Sequence, residues 1–162
     1  MAVSLLYTHE TELRVRYAET DQMGVVYYSN YLVWFEVGRA EYLRSLSTSY
    51  KEFERHGVRI VVAEAYCKYE SPARYDDLIV VRTNLSEIKA RSMKYRYTVL
   101  RKADRKLLAS GYTTHVFIGR NGKPVKMPKW VLNYIENKNW RPEKFTRFTC
   151  KLNPMLQNSL RN

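Results

Sequence analysis

SNYLVWFEVGRAEYLRSL, residues 29–46, is the stretch on which the fold turns. Within it Tyr31, Trp34, Phe35, Gly38, Tyr42, Leu43 and Leu46 recur at helical spacing along one broad face, and Ser29 stands where an N-cap belongs. One long helix is predicted, with an apolar face that must be covered. Gly38 in its interior costs about 1 kcal/mol against alanine, which makes sense if another backbone packs closely there.

On the N-terminal side, TELRVRY (11–17) alternates weakly and reads as a strand, and Ala18 to Gly24 reads as a loop. On the C-terminal side, Ser49-Tyr-Lys-Glu52 has the form of a capping box for a short second helix that should stop at Gly57. Val58 to Glu70 follows, with Ile60, Val62, Glu64 and Tyr66 on one face and Val61, Ala63, Ala65, Cys67 and Tyr69 on the other. Both faces look buried, as in a central strand.

Pro72 and Asp76-Asp77 mark a turn before a strand over Leu78 to Ile88. Met93 to Leu100 then alternates Met93, Tyr95, Tyr97 and Val99 against Lys94, Arg96 and Thr98, the pattern of a strand wet on one side. Ala103 to Arg105 turns the chain into Leu107 to Ile118, and Asn121-Gly122 with Pro124 closes the sheet region. Trp130, Val131, Tyr134 and Ile135 suggest a short terminal helix, and beyond Asn137 the periodicity disappears. Strands joined by short turns rather than helices give an α+β class with one antiparallel sheet. The long helix covers one sheet face, and a second subunit is expected to cover the other.

The chain has 162 residues, 45% of them hydrophobic and 14% aromatic, enough to bury a core of its own as one domain. No run approaches the ~20 apolar residues of a membrane span, and the N-terminus has no basic leader, so a soluble, unprocessed cytoplasmic protein is expected. Cys67 and Cys150 belong to no Cys/His cluster, which suggests neither a disulfide framework nor a zinc site. The formal charge of +12 calls for an anionic partner: nucleic acid, a membrane surface or a phosphorylated small molecule. Its densest part is residues 138–162, where Lys138, Arg141, Lys144, Arg147, Lys151 and Arg161 face a single acid, Glu143.

The chemistry points to YAETDQMGVVYYSNY, residues 17–31. Here a lone carboxylate, Asp21, precedes Gly24 and the pair Tyr27-Tyr28 at the entry to the long helix. A helix start offers unpaired backbone N–H groups at the positive end of the helix dipole. Attack on a carbonyl needs a group that supplies or activates the nucleophile, and donors for the charge growing on oxygen. By itself such an Asp is equally a loop carboxylate or a cap.

Residues 10–137 resemble the hotdog-fold acyl-CoA thioesterases, in the 4-hydroxybenzoyl-CoA thioesterase and YbgC-like branch. The resemblance is carried chiefly by YAETDQMGVVYYSNYLVWFEVGR, with weaker support from SPARYDDLIVVRT (71–83), LLASGYTTHVFI (107–118) and GRNGKPVKMP behind it. It implies a sheet wrapped around the central helix, dimeric or tetrameric, with no metal or redox cofactor. It further implies hydrolysis of acyl thioesters of coenzyme A or an acyl carrier protein. Asp21 would be the nucleophile or general base, the Tyr28 backbone N–H the oxyanion donor, and Gly24 the residue that lets the loop approach substrate. Relatives often carry a histidine beside the tyrosine pair, where this chain has Tyr28-Ser29. The hotdog domain is then residues 1–137, and the tail 138–162 is weakly ordered or docked on a neighbouring subunit.

Other candidates are weaker. Tyr27 belongs to the same segment and could contact substrate. Glu64, on an apolar strand face, should pair with an arginine or line the active-site cleft. Glu36 should form an ion pair with Arg39, and His115 reads as a satisfied structural histidine. Arg91 and Lys94, together with Arg82, Lys89 and Arg96, could hold the phosphates of coenzyme A. Two competing functions remain. A hotdog hydratase or dehydratase would require a motif histidine. A binding module would grip nucleic acid or an anionic membrane through the tail and its Trp140, Phe145 and Phe148.

Overall fold

Strand β1 (Thr8–Arg14) exits through a single 3-10 turn (Tyr17–Glu19) into the loop that leads to helix α1 (Asn30–Ser45). A computed structural model describes residues 7–136, so the expectations for the tail from Lys138 onward lie outside the described residues. After α1 come a short helix α2 (Tyr50–Arg55) and strands β2 (Val58–Tyr69), β3 (Leu78–Ile88), β4 (Ser92–Arg101) and β5 (Leu107–Gly119). Helix α3 (Lys129–Glu136) closes the described chain. The five strands form one antiparallel sheet in the order β1-β3-β4-β5-β2, wrapped around α1 as the hotdog resemblance implies.

Helix α1 buries the expected face: Tyr31, Trp34, Phe35, Gly38, Tyr42 and Leu43. Phe35 stacks on Tyr97 of β4 with ring centroids 4.3 Å apart and planes 7° from parallel. Gly38 meets β3 so closely that a β-carbon there would stand 2.6 Å from the Thr83 hydroxyl oxygen and 2.8 Å from Val81 Cγ1. Helix α3 lays Val131 and Ile135 over the same core, beyond Leu43, Leu46 and Phe53.

Several expectations are corrected. Strand β1 occupies Thr8–Arg14 rather than 11–17, so Tyr17 falls in the turn that follows. Ser29 precedes α1 but already has helical backbone angles and makes no side-chain cap. The capping box at Ser49 is absent too, because the Glu52 carboxylate turns to Arg55 at 2.9 Å instead of back to the cap.

The larger correction concerns β2. It is an edge strand, paired only with β5, whereas β3, β4 and β5 form the meander. A β-bulge between Val62 and Glu64 leaves Ala63 without a partner and moves every later residue to the opposite face. Ala65, Cys67 and Tyr69 thereby pair with Thr113, Gly111 and Ala109 on the helix side, while Glu64 and Tyr66 face outward with Thr114 and Tyr112. Val61, Val62 and Tyr66 are 42%, 49% and 49% exposed. The outer face of the inner strands carries Arg82, Asn84, Lys94, Arg96, Thr98, Ser110 and Tyr112 in cross-strand rows. That face is largely polar, whereas the exposed apolar side chains Val61 and Val62 lie along β2.

Candidate active site

The loop between Glu19 and Tyr27 is closed on itself. Thr20 bridges Val26, the Asp21 N–H donates to the Val25 carbonyl at 2.9 Å, and the Gly24 N–H donates to the Asp21 carbonyl at 2.9 Å. Gly24 sits at φ +71°, a left-handed conformation that glycine adopts without a steric penalty. A β-carbon there would meet nothing nearer than Arg74 Nη1 at 3.8 Å, so backbone conformation rather than crowding requires the glycine. Asp21 stands half-exposed at the head of the loop, with Oδ1 accepting the Met23 N–H at 2.8 Å and the rest of the carboxylate uncommitted among the described residues.

The loop is fastened at its base. The Val26 N–H donates to the Ala73 carbonyl at 2.9 Å, and the Tyr27 N–H donates to the Glu19 carbonyl at 2.8 Å. The Asn30 side-chain amide reaches that same Glu19 carbonyl at 2.9 Å. Beneath it the Glu19 carboxylate accepts the Trp34 indole N–H at 3.1 Å, the Arg16 amide at 2.8 Å and the Arg16 guanidinium at 3.1 Å. Burial pushes the Glu19 carboxyl up, but the bonds from Arg16 and Trp34 outweigh it and hold it below the usual carboxylate range.

Directly beyond, α1 begins. The Asn30 N–H donates to the Tyr27 carbonyl at 3.0 Å, and the Leu32 N–H to the Ser29 carbonyl at 3.1 Å. Among the described residues no acceptor takes the N–H of Tyr28. The Tyr69 hydroxyl, brought to this side of the sheet by the bulge, donates to the Tyr28 carbonyl at 3.1 Å. The rings of Tyr27 and Tyr28 lie 4.6 Å apart. The Tyr27 phenol is held above its ordinary value by its hydrogen bond to Tyr28, with the charge of Asp21 a smaller contribution. A carboxylate, an unclaimed backbone donor and a tyrosine rim thus share one short segment, the parts that acyl transfer demands.

Glu64 does not join them. It accepts from the Tyr112 hydroxyl at 2.8 Å and from Thr114 Oγ1 at 3.2 Å on the outer face, so hydroxyls replace the expected arginine. Arg91 and Lys94 lie at the opposite end of the sheet: Arg91 in the β3–β4 turn, and Lys94 over the Tyr112 ring at 4.4 Å. Within one protomer both lie toward the end of the sheet away from the Ala73 crossover to which the Asp21 loop is fastened. That far end also carries a hollow of about 610 Å³ lined by Glu54, Gly57, Arg59 and Arg120.

The expected ion pair of Glu36 with Arg39 is replaced by a bond from Arg39 Nε to the Tyr50 hydroxyl at 3.0 Å. His115 is buried, with Nε2 bonded to Thr113 Oγ1 at 2.7 Å but Nδ1 without a partner, so it is only half satisfied. None of His9, His56 and His115 belongs to the Asp21 loop or the helix start. Among the described residues no cluster of His, Cys, Asp and Glu could hold a metal ion, and no helix is long and apolar enough to cross a membrane.

Sequence reasoning did not single out Glu19, Trp34, Tyr69 or Ala73. The first two carried a usable signal, an acid two residues before Asp21 and an indole on the buried helix face. Tyr69 and Ala73 are brought in only by the bulge and the β2–β3 crossover.

Residues 15–135 match the family model described as thioesterase-like superfamily. The chain belongs to that family. The acyl-CoA thioesterase YbgC of Haemophilus influenzae is 37% identical over 122 residues, covering 74% of this chain and 88% of the relative. The acyl-acyl carrier protein thioesterase ATL3 of Arabidopsis thaliana, a chloroplast protein, is 29% identical over 123 residues, covering 76% of this chain and 65% of its own. Among solved structures, the DHNA-CoA thioesterase of Staphylococcus aureus superposes with a TM-score of 0.75 at 30% identity, across 82% of this chain and 91% of that one. The family match therefore spans α1 and strands β2 to β5, with β1 immediately before it.

Proposed function

We propose that this chain hydrolyses acyl-coenzyme A thioesters, with Asp21 as nucleophile or general base and the Tyr28 backbone N–H as oxyanion donor. One observation carries the reading: the loop that holds Asp21 is hydrogen-bonded at its base to the first turn of α1, where the Tyr28 N–H is unclaimed. The relatives named for acyl-CoA and acyl-carrier hydrolysis support the substrate class. The acyl carbonyl sits between the two groups. Asp21 attacks it, or takes a proton from a water that does, and the oxygen's growing charge is met by the amide. The C–S bond then breaks, the thiolate leaves and takes up a proton, and water supplies the acid's new oxygen. Losing one preorganised donor of this kind costs about 2.7 to 4 kcal/mol of barrier.

The working unit is a homodimer paired antiparallel along the exposed edge of β2. A two-fold axis there reverses the strand, so the Arg59, Arg91 and Arg120 end of one protomer comes beside the Asp21 loop of its partner. Arg91 would then serve carrier phosphates across the interface, although it is remote from Asp21 within one protomer. Tyr27 and Gly24 remain the candidates for contact on the loop's own side.

The test is release of free thiol from short, long and aromatic acyl-CoAs by wild type and Asp21→Asn. Loss of at least about 100-fold in kcat is expected for the variant. Unchanged rates, or no turnover of any thioester by wild type, would sink the reading.

A further inference from the structure

One residue fastens the Asp21 loop, and the reaction above leaves it without a task. Glu19 is only 5% exposed and is the sole carboxylate among the buried polar residues described. Through its carboxylate it binds Arg16, at the exit of β1, and Trp34, one helical turn into α1. Through its carbonyl it binds Tyr27, where the loop returns, and Asn30, where α1 begins. Strand exit, loop return and helix start therefore meet at a single side chain and its own peptide.

The geometry points to Glu19 as a positioning residue that fixes the Asp21 carboxylate against the Tyr28 amide. The inference rests on the thioesterase reading for its kinetic consequence, though not for its structural one. Its logic is mechanical. The internal bonds of residues 20–26 make the loop a closed unit, so its orientation is decided at its base rather than at its head. Asp21's one described side-chain bond is to Met23, inside the same loop, and does nothing to aim it. Other ties run to Tyr17, through the Thr20 N–H and hydroxyl, and to the β2–β3 crossover, through Val26 to Ala73 and an exposed bond from Arg74 Nη1 to the Gly24 carbonyl at 3.3 Å. The crossover reaches α1 at one remove, where the Ala73 N–H donates to the Tyr31 hydroxyl at 3.2 Å. Among the described residues, the local Asn30–Tyr27 turn aside, the Glu19 ties join the base of the loop directly to α1. A buried, charge-assisted bond from an indole N–H has one geometry, set by the packing of Trp34 in the core, and so suits a fixed spacer.

Neutralising the carboxylate by Glu19→Gln keeps the size but discards the charge that draws Arg16 and Trp34 together. In the folded variant kcat on an acyl-CoA that wild type turns over should fall about 100-fold, the scale of an ångström-size misplacement, with KM within about threefold of wild type. Trp34→Phe should lower kcat in the same manner, and the double variant should fall short of the sum of the two losses, since both weaken the same carboxylate–indole bond. A readout independent of turnover is the amide spectrum of ¹⁵N-labelled protein: the Trp34 indole, Asp21 and Tyr28 resonances should move together in Glu19→Gln.

A folded Glu19→Gln within threefold of wild type in kcat overturns the inference. So does a loss that disappears on cooling to 10 °C, which marks partial unfolding alone, and so do additive losses in the double variant. If wild type hydrolyses no thioester, the proposed function falls by itself. The Asp21 and Tyr28 amides then still decide the role of Glu19, and unmoved resonances in Glu19→Gln overturn it.

Discussion

Gly38 of α1 and Thr83 of β3 approach so nearly that the helix position has no room for a β-carbon, which would lie 2.6 Å from Thr83 Oγ1. The contact sets the depth at which α1 sits in the curve of the sheet, and therefore the height of its first turn relative to the Asp21 loop.

Gly38→Ala tests that depth. Alanine gains about 1 kcal/mol of helix propensity, and overpacking against Val81 and Thr83 on a central strand costs about 1 to 3 kcal/mol. The second effect should win, lowering Tm by several degrees in a thermal melt. An equal or higher Tm would mean that the helix can rise without penalty.

The sequence disclosed this contact better than it disclosed the edge. A glycine inside a well-formed amphipathic helix has few explanations, so Gly38 announced its neighbour. Strand β2 misled because Val61, Val62, Ala63 and Ala65 read as interior, and alternation counts faces correctly only where no residue is inserted. The bulge at Ala63 has no compositional mark, and it displaced Glu64 from the expected face. The Asp21 segment was legible because its carboxylate, its glycine and the helix start lie within ten residues of one another. That Arg91 and Lys94 stand apart from Asp21 within one protomer was not legible, because charge along a chain says nothing about which end of a sheet receives it.

Stability should fall in mild acid through His115. Burial, with a smaller push from the Arg39 charge, holds its pKa down to about 4, below the ordinary 6.5. The unfolded chain therefore binds a proton that the folded one refuses between those values, so the penalty begins as pH drops through 6.5 and is complete near 4. It amounts to up to about 3 kcal/mol. Denaturant midpoints for wild type and His115→Gln at pH 7 and pH 4.5 check this. The substituted protein should show the smaller drop, and parallel drops would contradict it.

At lower pH Glu19 adds a second acid sensitivity. Its folded pKa is depressed, so its contribution is present above the unfolded value of 4.5 and lost as pH falls through the folded one. Wild type should melt higher than Glu19→Gln at pH 7, and the gap should close toward pH 3. A constant gap across that range would show that the carboxylate's charge is not what stabilises the loop.

Paired lysines at Val61→Lys/Val62→Lys should separate the proposed dimer. Both side chains are exposed on the unpartnered edge, and edge strands bearing lysine resist pairing. Sedimentation at micromolar concentration should find monomer for the variant and dimer for wild type. Turnover should fall with dissociation. A dimeric variant would place the interface elsewhere.

Tyr69→Phe removes only the hydroxyl that reaches the Tyr28 carbonyl. An exposed bond of this kind contributes about 0.5 to 1.5 kcal/mol, so kcat should drop up to about tenfold and Tm by no more than a few degrees. An unaltered kcat would show that the helix start holds its place without β2.

That last contact depends on the bulge in β2. Were the strand to run straight through Ala63 with every residue paired in turn, Glu64 would enter the helix side and Tyr69 would point to solvent on the far side of the sheet, leaving the Tyr28 peptide unbraced. A one-residue slip of register, ordinarily confined to an exposed edge, would here reach the start of α1. A related chain without the inserted residue, aligned through this strand with no gap, would have residues of opposite faces matched to one another.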